Sequence, residues 1–173
     1  MDTQSFNLAQ TAPDMSNFDD SQRNQINLAI IGSVSVGKST LLNTIFAETY
    51  SDCKYKRTTM TPQVYYESSK FKGQSKLNKE IRTQNTEINI QLNEKCKKGE
   101  TITMDDIKET HHIVSKVHDF SELEKNIYLT IYDIPGLNSA ITKELNYKYV
   151  YDNFHKFDII IFVVDIHLSL NTS

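Results

Sequence analysis

Long apolar runs are missing from this chain. Nothing in its 173 residues approaches the roughly eighteen consecutive apolar positions of a membrane-crossing helix, and the N-terminus has no basic stretch leading into an apolar one. The sequence thus predicts a cytoplasmic protein without a signal peptide. Cysteine is scarce as well: Cys53 and Cys96 stand far apart and match no zinc or redox spacing, which predicts reduced thiols. A surplus of one charge is also absent. With 19 basic and 22 acidic side chains interspersed, for a net charge of −3, there is no basic field for nucleic acid and no acidic tail. The length suits one domain with a proper core.

What the chain does have is concentrated in residues 26 to 46, INLAIIGSVSVGKSTLLNTIF. Ile26, Leu28, Ile30 and Ile31 make a short apolar strand, and Leu41, Leu42, Ile45 and Phe46 recur at helical spacing. Between them Gly32, Gly37, Lys38 and Ser39 satisfy G-x-x-x-x-G-K-[ST], the phosphate-binding loop, in its proper strand-to-helix setting. The glycines let the backbone turn tightly, so that N–H groups from Ser33, Val34, Ser35, Val36 and Thr40 can line phosphate oxygens at a helix N-terminus. Lys38 would then charge-pair with the β and γ phosphates, and the Ser39 hydroxyl would ligate Mg²⁺.

Before this stretch, residues 1 to 24 are polar and aperiodic, which predicts a flexible tail, with a short docked helix over Asn17 to Gln25 as the alternative. After it, residues 47 to 62 read as a long connection carrying Thr58, Thr59 and Thr61, each a candidate for contact with Mg²⁺ and the γ-phosphate. Gln63 to Glu67 form a second strand. Residues 68 to 126 are charged with sparse apolar positions and predict a helical insertion. One helix uses Leu77, Ile81, Ile88 and Leu92 and closes near Gly99; another opens at a Thr103/Asp106 capping box and runs through Ile107, Ile113, Val114 and Val117. His111, His112 and His118 lack partners at metal-ligand spacing and are expected at the surface.

Residues 127 to 137, IYLTIYDIPGL, form a third strand whose tip places Asp133 beside the phosphate loop, where a carboxylate holds Mg²⁺ through water. Leu145, Tyr149, Val150 and Phe154 predict a covering helix over residues 143 to 156 that turns these four side chains to the core. Phe157 to Ile166 is nearly continuous apolar sequence, the mark of a central strand buried on both faces. With no further strand in the chain, it is expected to stand as an exposed edge.

In this order the motifs resemble the GTPase domain of the dynamin superfamily. The step of 74 positions from Thr59 to Asp133, and the T-x-x-P of Thr59 to Pro62, separate it from Ras-like small GTPases; septins and interferon-induced GTPases are alternative families that the motifs resemble. The resemblance implies Mg²⁺-dependent GTP hydrolysis, with Thr59 as the switch I threonine and metal contact, Ser35 as a catalytic serine of the phosphate loop, and Gly136 as the switch II glycine whose N–H meets the γ-phosphate. It also implies self-association through the GTPase domain and a membrane as partner. Two departures stand out. Where dynamins carry a glutamine before the serine, this chain has Val34, which can neither donate nor accept; and no T/N-K-x-D guanine motif follows Asp165 in the eight residues that remain.

The expected architecture is α/β: a three-layer, mostly parallel P-loop sheet over residues 25 to 173. Its four strands lie in spatial order 2-3-1-4, and the domain is incomplete at its C-terminal end. A catalytically inert nucleotide-binding or interaction module is the alternative to a working GTPase.

Overall fold

The computed structural model describes residues 24–47, 49, 60–68, 75–115, 127–139 and 141–165. Apart from Asn24, the expected tail lies outside these residues, as do Cys53, Thr58, Thr59, Val117 and His118.

Five strands form one sheet: β1 (Asn24–Gly32), β2 (Gln63–Ser68), β3 (Thr110–Ser115), β4 (Ile127–Asp133) and β5 (Ile159–Val163). Their spatial order is β3-β2-β4-β1-β5. The four strands expected from sequence thus keep the order 2-3-1-4. β1 is parallel to both β4 and β5, β3 is parallel to β2, and β2 runs antiparallel to β4.

Helix α1 (Lys38–Phe46) covers one face, burying Leu42 and Phe46 one turn apart against Leu28, Ile30, Tyr65, Val114, Leu129 and Ile131. Helix α3 (Lys143–Asn153) covers the other, where Tyr149 packs with Ala29, Val64, Tyr132 and Ile134. Each large side chain so buried contributes about 1.5–3 kcal/mol, and together they clamp the sheet between two helical layers. Helix α2 (Ser75–Lys97) has its own small core, in which Leu92 meets Met60, Ile102 and Ile107, with Leu145 of α3 packed alongside. It ends as expected near Gly99, whose φ of 73° is the left-handed stop favoured by glycine.

Three sequence expectations are corrected. The helix foreseen after Thr103 is one turn of 3-10 helix, Met104–Ile107, followed by strand β3. Asp106 does accept from the Thr103 N–H at 2.9 Å, so the capping signal is real, but Lys108 is extended and ends the turn. The THHIVS segment then alternates buried and half-buried, a period of two that suits its β-branched Thr, Ile and Val. Secondly, His112 is not at the surface: it is 3% exposed on the inner face of β3. Thirdly, Phe154 is 61% exposed and makes no part of the core.

Strand β5 forms an edge of the described sheet. A fourth expectation, burial of this strand on both faces, is corrected: Ile161 and Val163 turn onto the α1-side core, while Ile160 and Phe162 alternate with them and remain exposed, because among the described residues no helix or strand covers that face of the edge. Among the described residues no helix is long and apolar enough to cross a membrane.

Candidate functional site

The site lies at the carboxyl ends of the parallel strands β1 and β4, the end of such a sheet at which ligands gather. At the tip of β1, Gly32 (φ 151°) must be glycine: a Cβ there would stand 2.3 Å from the Val163 carbonyl oxygen of β5. The chain then turns through Ser35 (φ 63°) and Gly37 (φ 95°), both left-handed, before entering α1. A left-handed serine costs on the order of 1 kcal/mol, a strain expected where backbone N–H groups are gathered around an anion. Gly37, the residue before the first helical turn, makes no side-chain cap, and a helix N-terminus in this setting is suited to an anionic ligand.

Lys38 opens α1 and is 8% exposed. Its ammonium donates to the Ser33 carbonyl at 2.6 Å and the Gly32 carbonyl at 3.2 Å, folding back over the loop it belongs to. Ser39 is half-buried in the same turn; Ser33, Val34 and Val36 are half-buried, and Ser35 and Thr40 exposed.

Asp133, at the tip of β4, is 1% exposed and stands opposite Ile30 of β1. Among the described residues neither of its carboxylate oxygens has a hydrogen-bond partner. Burial pushes its pKa up to about 6, against the opposing pull of the Lys38 charge. A buried carboxylate that feels the Lys38 charge, at the tip of the strand beside the one that leads into the Ser39-bearing loop, offers with that serine a donor set that fits a dication. The Mg²⁺ that such a phosphate loop implies would be held here by Ser39 and Asp133.

The loop after Asp133 is stitched to the phosphate loop. Ile134 N–H donates to the Ile30 carbonyl (3.2 Å) and Leu137 N–H to the Gly32 carbonyl (3.1 Å), while Val34 N–H donates to Asn138 Oδ1 (2.6 Å). Gly136 is pressed on Val34: a Cβ would meet Val34 Cγ2 at 2.3 Å and the Val34 nitrogen at 2.6 Å. From the other side Asn146 of α3, fully buried, donates to the Gly136 carbonyl (3.0 Å) and to Thr142 Oγ1 (3.1 Å).

The structure therefore brings together residues 32 to 40, Asp133 and Gly136. Thr59 lies outside the described residues. Thr61 is buried next to β2 and accepts from Gln63. Sequence reasoning missed Asn138 and Asn146. The signal for Asn146 was present, a polar residue one turn from Thr142 and adjacent to the apolar stripe of α3; Asn138 reads as an ordinary turn residue and carries none.

The sequence profile of the Dynamin family matches residues 28–173. An uncharacterized protein of Acanthamoeba polyphaga mimivirus is 28% identical over 153 residues, covering 82% of this chain and 24% of the relative, so the chain spans about a quarter of that protein's length. Two solved chains from an oligomerised bacterial dynamin pair, described as a mechanism for the long-range sensing and tethering of membranes, are similar at 18% identity. One has a TM-score of 0.45, covering 91% of this chain and 24% of its own; the other has a TM-score of 0.43, covering 79% and 22%.

Proposed function

The chain belongs to the dynamin family, and on that premise we propose that it binds GTP with Mg²⁺ and hydrolyses it to GDP and phosphate. The observation that carries the reading is the buried Asp133 carboxylate, without a hydrogen-bond partner among the described residues, beside a phosphate loop whose lysine is already turned inward. Lys38 exchanges its two backbone carbonyl partners for the β and γ phosphates, and loop N–H groups from Ser33 to Thr40 line the phosphate oxygens. Ser39, Asp133 and the switch threonine Thr59 would hold Mg²⁺, which would supply charge neutralisation at the phosphates. The Gly136 N–H faces the γ-phosphate, and Ser35 serves the hydrolytic step. Water attacks the γ-phosphorus while its bond to the β-bridging oxygen breaks, and positioning with charge stabilisation does more here than any acid or base. By the same family membership the partners proposed are GTP, GDP, a second copy of the domain and a membrane.

A second reading is favoured by one observation. Val34, pressed on Gly136, places a methyl group rather than a polar one at the loop contact, which suits a module that binds nucleotide without turning it over.

Calorimetric titration of Lys38→Ala and Ser39→Ala with GTP, with and without Mg²⁺, tests the binding claim. The lysine variant should lose most affinity, and the serine variant chiefly the Mg²⁺ dependence. Unchanged affinity in Lys38→Ala would sink the phosphate-loop assignment.

A further inference from the structure

Strand β3 has no place in the phosphate chemistry described above, yet a chain of buried polar groups runs from it toward the site. His112 Nε2 meets Gln63 Oε1 at 2.6 Å, and Gln63 Nε2 donates to Thr61 Oγ1 at 2.7 Å and to the Thr61 carbonyl at 3.1 Å. All three residues are nearly sealed from solvent, at 3%, 2% and 2% exposure. A parallel tie fixes the backbone: Thr110 N–H donates to the Pro62 carbonyl at 2.9 Å. Gln63 in turn stands directly opposite Asp133 in the antiparallel register of β2 and β4.

The direction of these bonds is determined. The Thr61 carbonyl can only accept, so the Gln63 amide must point its nitrogen there and its oxygen at His112. The histidine must then donate from Nε2, which fixes the neutral tautomer with the proton on that atom. Burial, aided by the neighbouring His111, pushes its pKa down to about 3, so the ring stays a fixed neutral donor at working pH. The ring is also held by Tyr65, with centroids 4.9 Å apart.

We propose that His112 is a positioning residue of the site: acting through Gln63, it holds Thr61 and Pro62, where the threonine-bearing connection joins β2, in the alignment with Asp133 that hydrolysis requires. This rests on the GTPase reading. Its consequence is that part of the insertion between the second and third expected strands belongs to the catalytic apparatus. A buried histidine that served packing alone would affect stability and leave the chemistry alone.

The test uses the full chain. His112→Phe keeps a ring against Tyr65 and deletes the donor, whereas His112→Gln restores an N–H at comparable reach. For His112→Phe the expected result is a fall in kcat of about tenfold or more with KM within about threefold, most of it recovered in His112→Gln. Hydrogen exchange at residues 60 to 64 of the protein alone should quicken in the first variant and return in the second. Unchanged kcat in a folded His112→Phe overturns the proposal, as does unchanged exchange. If the wild type binds GTP without turnover, the GTPase reading fails separately, and the exchange result alone upholds or overturns the hold on Thr61. Should His112→Phe fail to fold, Gln63→Met cuts the same chain at its middle and must show the same split between kcat and KM.

Discussion

Replacing Asp133 by asparagine should stabilise the protein in the absence of nucleotide, by an amount that grows with pH. The carboxyl group is buried without a hydrogen-bond partner among the described residues, and burial raises its folded pKa from 3.8 to about 6. In the unfolded chain the proton leaves near 3.8, while in the folded protein it stays until about 6. The folded state therefore binds more protons across this window, and stability falls as pH rises through it. A tenfold difference in proton affinity between the two states is worth about 1.4 kcal/mol, so the ionised carboxylate costs on the order of 3 kcal/mol above pH 6. Asparagine is nearly isosteric and never ionises. The assay is urea unfolding of both proteins between pH 4 and 8, read as the difference between them, which cancels every other titrating group. The difference should be small at pH 4 and reach about 3 kcal/mol in favour of the variant by pH 7. With GTP and Mg²⁺ the order should reverse, because only the carboxylate rewards a dication. A difference that stays flat across the pH range, or a variant that is the less stable one at pH 7 without ligand, would refute the reasoning.

Two further substitutions probe the contact between the phosphate loop and the loop after β4. Gly136→Ala drives a Cβ to 2.6 Å from the Val34 nitrogen and 2.8 Å from its Cα; urea unfolding should show a loss of about 1–3 kcal/mol, and Val34→Ala added to it should not restore stability, because the clash is with backbone. Asn138→Ala frees the Val34 N–H from the 2.6 Å bond that occupies it; at this exposed position water replaces the lost bond, so stability should change by less than about 1 kcal/mol while titration shows GTP affinity rising about two- to fivefold. A tenfold loss instead would mean that Asn138 itself touches the nucleotide.

The parts of the fold legible in sequence are those where one residue type answers one local demand. Gly32 and Gly37 take left-handed backbone, Leu42 and Phe46 repeat at a helical turn, and Asp133 ends an apolar strand, so the phosphate loop, α1 and β4 were all readable. Strand β3 was not, because its Thr103/Asp106 capping signal is identical for one turn of 3-10 helix and for a full helix; what decides is the extended Lys108 and the pairing with β2, neither of which is local. His112 misled for the same reason. Its burial depends on Gln63 and Tyr65, residues 49 and 47 positions away, whose proximity only the sheet register creates. Within the site, Lys38 and Asp133 announced themselves, whereas Asn138 acts by joining two loops that sequence cannot juxtapose, and Asn146 reaches from α3 to the Gly136 carbonyl ten residues before it.

Single-turnover hydrolysis of GTP by excess protein, followed as phosphate released with and without Mg²⁺, tests the central claim most directly. The predicted result is Mg²⁺-dependent conversion of GTP to GDP that Lys38→Ala abolishes. Tight GTP binding with no phosphate released over many hours would contradict it and leave this chain a nucleotide-binding module without turnover.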